Sequence, residues 1–171
     1  PMLTDSGGYQ IFSMGYGSVS NEVKGKRNAE SMGWGKTLLK IDESGAKFKS
    51  YVDGSVQHLT PEKCMEIQKE LGADFVVVLD ECTPFNVDKE YTKKSTQRSH
   101  RWAIRSLRAF KVLNKDNAYK QAVYGIVQGG VYEDLRDEST AFVNKTPFFG
   151  SAIGGSLGDT SAKMHSIVSY T

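Results

Sequence analysis

Phe75-Val76-Val77-Val78-Leu79-Asp80-Glu81-Cys82 is the stretch that decides how this chain folds. A short apolar run of this kind, closed by polar residues, reads as a strand. It ends in two adjacent carboxylates, which are costly to desolvate unless something pairs with them. The same arrangement recurs on either side. Met2–Thr4 runs into Asp5-Ser6-Gly7-Gly8-Tyr9-Gln10. Ala122–Val127 runs into Gln128-Gly129-Gly130, and Ser151–Ile153 into Gly154-Gly155. Strands that all finish in polar groups and glycines suggest one shared rim.

Helical segments separate these strands. Thr60-Pro61 is a cap followed by a first-turn proline, whose missing N–H costs nothing there. That helix is expected to reach Leu71 and stop at Gly72. Cys64, Ile67, Gln68 and Leu71 share one of its faces, which places Cys64 in the core. A second helix is expected from Lys89 or Tyr91 to Val112, and a third from Glu133 to Val143. Met164–Tyr170 also reads as helical. Strand and helix in alternation imply a parallel α/β sheet. Polar groups at the strands' C-terminal ends suit a (β/α)8 TIM-type barrel, of which this chain would be a central part.

Residues 15–59 break the rhythm. Glycines and scattered charge fill 15–47, long for a loop in a compact domain. Phe48–Val52 and Ser55–Leu59 then read as a hairpin with a tight turn at Asp53-Gly54.

The 171 residues are 39% apolar and 25% charged, with net charge +2, ordinary for a globular chain. No apolar run is long enough for a membrane span, and no leader pattern opens the chain. A cytoplasmic location and no membrane partner are the expectation. Cys64 and Cys82 form neither a disulfide framework nor a metal-type spacing. Pro1–Thr4 reads as a strand end with nothing before it. The chain is therefore expected to be an internal piece of a longer protein.

Asp5 could end a strand in an ordinary turn, or serve as a general acid/base. Tyr9 could be core or a stacking platform for a flat ring. Asp80 and Glu81 need partners: a ring with two N–H donors, or a basic side chain. Cys82 is more a pocket wall than a nucleophile, since no histidine lies nearby in sequence. Gln128 carries a donor and an acceptor, as the edge of a nucleobase requires. Gly129-Gly130 and Gly154-Gly155 leave backbone N–H groups open to a ligand. Glycine-rich strand ends also take phosphate, so a sugar-phosphate enzyme is a rival reading, although no phosphate-loop fingerprint is present. The segment Lys93–Lys111 carries seven basic residues, either a solvated face or a track for a phosphate backbone.

Taken together, Leu3–Gln10, Phe48-Lys49-Ser50 with Asp53-Gly54-Ser55, Leu79–Pro84, Gly125–Gly130 and Ala152–Gly155 resemble the tRNA-guanine transglycosylase family in order and spacing. The resemblance implies a transferase (a pentosyltransferase of queuosine biosynthesis) built on the (β/α) barrel. Such an enzyme exchanges guanine at the tRNA wobble position for a 7-deazaguanine precursor by double displacement. Asp5 matches the family's acid/base carboxylate within Asp5-Ser6-Gly7-Gly8, and Tyr9 the stacking aromatic. Asp80 and Gln128, with Gly129, match the groups that read the base edge. Gly154, Gly155 and Ser156 match the segment at the base carbonyl and exocyclic group. Cys82 matches the cysteine of bacterial members. The implied partners are tRNA and a guanine or 7-deazaguanine base, and the full-length chain is implied to be a homodimer. The nucleophilic aspartate, the later barrel strands and a zinc subdomain with its Zn2+ ligands are expected outside this chain, which alone should be inactive. A non-catalytic RNA-binding relative is the remaining alternative.

Overall fold

The computed structural model describes residues 1–16, 37–85, 87–116, 119–155 and 158–171. The expectations that fall on 17–36, and on Ser156, lie outside the described residues.

Four strands form a parallel sheet: β1 (Leu3–Thr4), β5 (Phe75–Val77), β6 (Ala122–Val127) and β7 (Gly150–Ile153), in the order β1-β5-β6-β7. Leu3 pairs with Phe75, Val76 with Val123, and Ile126 with Ala152. All four C-terminal ends therefore lie along one edge. A second sheet, β2 (Leu38–Asp42), β3 (Gly45–Lys49) and β4 (Val56–Leu59), is antiparallel. The helices are α1 (Gly8–Tyr16), α2 (Pro61–Glu70), α3 (Lys89–Leu113), α4 (Glu133–Lys145) and α5 (Ser161–Tyr170). Among the described residues the parallel sheet is open, so the α/β reading holds while a closed barrel is not present.

The helix starts follow capping chemistry. Thr60 accepts from Lys63 N at 3.1 Å, Asp88 from Tyr91 N at 2.7 Å, and Thr160 from Lys163 N at 3.2 Å. Beyond α2, Gly72 turns with φ +71°, a conformation glycine adopts without penalty.

The core forms where the sheet meets these helices. Val76, Val78, Leu79 and Val123 pack with Cys64 and Met65 of α2 and with Trp102, Ala103 and Leu107 of α3. Cys64 is buried as expected, but it shares the buried face with Pro61, Met65 and Gln68, while Ile67 and Leu71 are exposed. The run Val76–Leu79 is buried without alternation.

Beyond shifts of one or two residues at element ends, three features differ from the sequence reading. The β5 ladder stops at Val77; Val78 N still donates to Tyr124 O at 3.1 Å, and the chain then leaves the sheet. The hairpin turn is wider than two residues, spanning 50–55. Asp53 Oδ1 accepts from both Ser55 N and Ser55 Oγ, a local closure that competes with the ladder. The segment read as glycine-rich loop contains β2, which binds β3 through four registered pairs.

The small sheet is fastened to α3. Trp102 Nε1 donates to Glu43 O at 3.1 Å, and the Glu43 carboxylate accepts from Arg98 and Arg101. Arg105 meets Glu62 of α2. These pairings favour the solvated-face reading of the basic helix, since its central arginines bind protein carboxylates.

Candidate active site

The site is built where β1, β5 and β6 end. After β1 the chain turns at Gly7, φ +95°, and enters α1. Asp5 is exposed at this corner, its Oδ1 accepting from Ser6 N at 2.8 Å. Ser6 points inward and is buried. Its hydroxyl reaches Asp80 Oδ1 at 3.3 Å and accepts from Gly8 N at 3.4 Å. Gln128, at the end of β6, donates from Nε2 to the other oxygen of Asp80. Three strand ends are thereby joined through one carboxylate.

Asp80 is 7% exposed. Burial pushes its carboxyl up to about 6, and the nearby charge of Asp5 adds to the shift; the bonds from Gln128 and Ser6 oppose it. This group is poised to change charge near neutrality. The adjacent carboxylate has a separate solution. Glu81 is buried against Arg98, takes a hydrogen bond from Tyr91 OH at 2.9 Å, and its N–H donates to Ser99 Oγ at 2.9 Å. The two acids thus diverge in role: Glu81 is locked into the scaffold, while Asp80 faces the strand-end polar groups.

A second layer holds the backbone. Gln68 of α2 is 2% exposed and reads β5 directly, donating to Val77 O at 2.8 Å and accepting from Val77 N at 2.9 Å. Gln128 N donates to Ser139 Oγ of α4 at 2.9 Å, and Ser139 in turn meets His100 of α3. The Cys64 thiol donates to Ser6 O at 3.2 Å; burial pushes it up to about 12, so it stays protonated and inert at neutral pH.

Glycine is required where backbone and carboxamide crowd. A Cβ on Gly8 would lie 2.8 Å from Asp80 O and closer still to its Oδ1. A Cβ on Gly155, φ +92°, would lie 2.9 Å from Gln128 Oε1. Gly129 turns at φ +132°, and a side chain there would strike the start of α4.

The profile of the queuine tRNA-ribosyltransferase family matches residues 1–171. The chain belongs to that family. A queuine tRNA-ribosyltransferase of Protochlamydia amoebophila is 45% identical over 171 residues, covering all of this chain and 42% of the relative. Those of Roseiflexus sp. and Chlamydia muridarum are 41% and 43% identical, again over the whole chain and 44% of each relative. The chain thus spans less than half the length of these queuine tRNA-ribosyltransferases.

Within this member of the family, the expected site residues fall as follows. Asp5, Ser6, Gly8, Asp80, Gln128, Gly154 and Gly155 converge. Tyr9 lies in the first turn of α1, 44% exposed, with its ring 6.0 Å from that of Phe12. Cys82 is half-buried two residues beyond Asp80. A cavity of about 210 Å³ opens beside Asp5, Gly7 and Gln10 with Leu59 and Ile67 on its far wall. Cys64, Gln68 and Leu71 of the α2 side also line it, and neither Asp80 nor Gln128 belongs to it. Sequence reasoning missed Ser99, Arg136 and Ser139, all buried, and placed Gln68 on a core face without its bonds to β5. Their signal was a polar residue at a core-facing helical position, as in Leu135-Arg136 with Ser139 and Val143. Among the described residues no group of three or more His, Cys, Asp or Glu side chains could hold a metal ion.

Proposed function

We propose that the parent protein is a tRNA-guanine transglycosylase, exchanging guanine at the wobble position for a 7-deazaguanine base. This chain would supply the acid/base group and most of the base-reading groups. The observation that carries this reading is the Ser6–Asp80–Gln128 array at three neighbouring strand ends in a member of this family. A guanine-type edge offers ring N–H and amino donors to a carboxylate and a carbonyl to an N–H donor. In the free site Gln128 occupies one oxygen of Asp80, so the arriving base takes over that bond and frees the carboxamide for its own carbonyl. Tyr9 supplies an aromatic face, and Cys82 a wall.

Exchange requires attack at the ribose C1′, departure of the base and its protonation. In this reading a carboxylate outside residues 1–171 forms the ester bond to C1′ as the C1′–N bond to guanine breaks. Asp5, exposed and adjacent to the bound base, delivers the proton to the leaving base and removes one from the incoming base. The four parallel strands would be part of a (β/α)8 barrel completed by further chain. The partners in this reading are tRNA and the free base, the compartment the cytoplasm, and the intact enzyme a homodimer.

Calorimetric titration with guanine and with a sugar-phosphate ester tests the assignment. Guanine binding with no phosphate-ester binding is expected; the reverse would favour the sugar-phosphate enzyme. In the intact protein, Asp5→Asn should abolish incorporation of labelled guanine into tRNA. Unchanged turnover would remove Asp5 from the chemistry, and a wild type that binds tRNA without exchange would indicate the non-catalytic relative.

A further inference from the structure

Arg136 is the largest charged side chain in the interior, 1% exposed on the inner face of α4. Its guanidinium donates to three backbone carbonyls: Gly130 O at 2.9 Å, Val127 O at 3.3 Å and Gly154 O at 2.9 Å. Val127 closes β6, and Gly130 and Gly154 belong to the glycine-bearing loops that follow β6 and β7. Among the described residues no carboxylate pairs with it. Burying an unpaired cation is costly, and an apolar side chain could fill the space without that cost.

The geometry accounts for the arginine. Gln128 lies against Gly154 and Gly155 so closely that a Cβ on Gly154 would be 2.8 Å from its Nε2, and one on Gly155 2.9 Å from its Oε1. The contact demands two glycines. A Gly-Gly peptide plane, however, rotates with little steric resistance. In a trans peptide the carbonyl and the following N–H point in opposite directions. Holding Gly154 O toward α4 therefore turns the Gly155 N–H to the opposite side. Among the described residues no acceptor takes that N–H.

We propose that Arg136 is a positioning residue for base recognition: by gripping the Gly154 carbonyl it fixes the Gly154–Gly155 peptide so that Gly155 N–H is presented to the carbonyl of the bound base. The inference rests on the proposed function, because it requires a ligand carbonyl. Arg136 contacts the base nowhere. It acts as a preorganiser of a donor, which is valuable because the donor need not be reoriented on binding.

The test compares guanine with 6-thioguanine, which differs only at that acceptor, where sulfur accepts a hydrogen bond weakly. Wild-type protein should prefer guanine. Arg136→Lys should bind guanine about tenfold more weakly, the loss of one well-placed hydrogen bond, while its affinity for 6-thioguanine changes less than twofold. The preference would shrink to the share that the Gln128 carboxamide supplies, which a general loosening of the fold would not produce. An unchanged preference in a folded Arg136→Lys protein overturns the proposal. A second measurement avoids variants altogether: in wild-type protein labelled with 15N-glycine, the Gly155 amide proton should shift downfield with guanine and much less with 6-thioguanine. A Gly155 signal indifferent to guanine also overturns it. If wild-type protein fails to bind guanine at all, the proposed function falls, and this inference with it. If guanine binds while both readouts stay silent, only the role of Arg136 is refuted.

Discussion

Gly8→Ala sets two rules of helix chemistry against each other. Gly8 opens α1, where alanine has the better helix propensity by up to about 1 kcal/mol, less in a first turn. Propensity alone predicts a stabilised protein. The packing predicts the opposite. The added methyl would lie 2.8 Å from Asp80 O and 3.0 Å from Asp80 Cγ, and still nearer to Oδ1. The carboxylate could swing away only by giving up Ser6 and Gln128, and the backbone oxygen cannot swing at all. Overpacking of this kind costs about 1–3 kcal/mol. Subtracting the propensity gain leaves about 1–2 kcal/mol of destabilisation. For a domain of this size that corresponds to roughly 2–8 °C in Tm. Guanine affinity should fall about tenfold or more, since the displaced carboxylate loses its alignment with the base edge. Thermal unfolding and calorimetry read both effects. The double variant Gly8→Ala with Asp80→Ala isolates the side-chain part: removing the carboxylate relieves its share of the clash and leaves the backbone share, so the combined loss should be smaller than the sum. A Gly8→Ala protein with raised Tm and guanine affinity within twofold of wild type would refute the argument.

Asp80 titrates near 6 in the folded chain against 3.8 for an ordinary aspartate. Between those values the folded state holds the extra proton, so its contribution to stability declines as pH rises from about 4 to about 6 and is level above. The difference is of order 3 kcal/mol and should appear as the gap between wild type and Asp80→Asn in urea melts across that range. Guanine binding should strengthen over the same range as the carboxylate ionises, with Asp80→Asn flat. Arg98→Met leaves Glu81 buried with only Tyr91 as partner and should cost about 3 kcal/mol. Arg101→Met, whose Glu43 partner is exposed, should cost under about 1 kcal/mol; equal losses in denaturant unfolding would contradict the distinction. Thiol reagents at neutral pH should modify Cys82 well before Cys64, as peptide mass mapping can show. Equal rates in the folded protein would contradict the burial of Cys64.

Asp80 and Gln128 could be placed together from sequence because each follows an apolar run. Parallel strands put such endings on one edge whatever the loops do. The mutual bond between them was not legible, since it depends on where β5 leaves its ladder. That departure at Val78 is decided by tertiary packing, not by residue type. Arg136 and Ser139 were hidden for a related reason. Periodicity marks the inner face of α4 through Leu135 and Val143, but a polar side chain on that face reads as an exception rather than as a hydrogen-bond donor to a loop. The strand β2 was obscured by the glycines around it, and its pairing with β3 is a non-local fact that no window of sequence contains. The hairpin turn was misjudged because Asp53-Gly54 has the residues of a tight turn, while Ser55 supplies an alternative local closure.

Arg98 is shared. One carboxylate it holds, Glu43, lies in the turn that leads the small sheet; the other, Glu81, is the immediate neighbour of Asp80. The antiparallel sheet is thus fastened at α3, while its far tip carries Tyr51 and Val52 into solvent. The small sheet and the acid beside Asp80 thus share one guanidinium, next to the Arg101, Trp102 and Arg105 contacts that also tie Glu43 to α3.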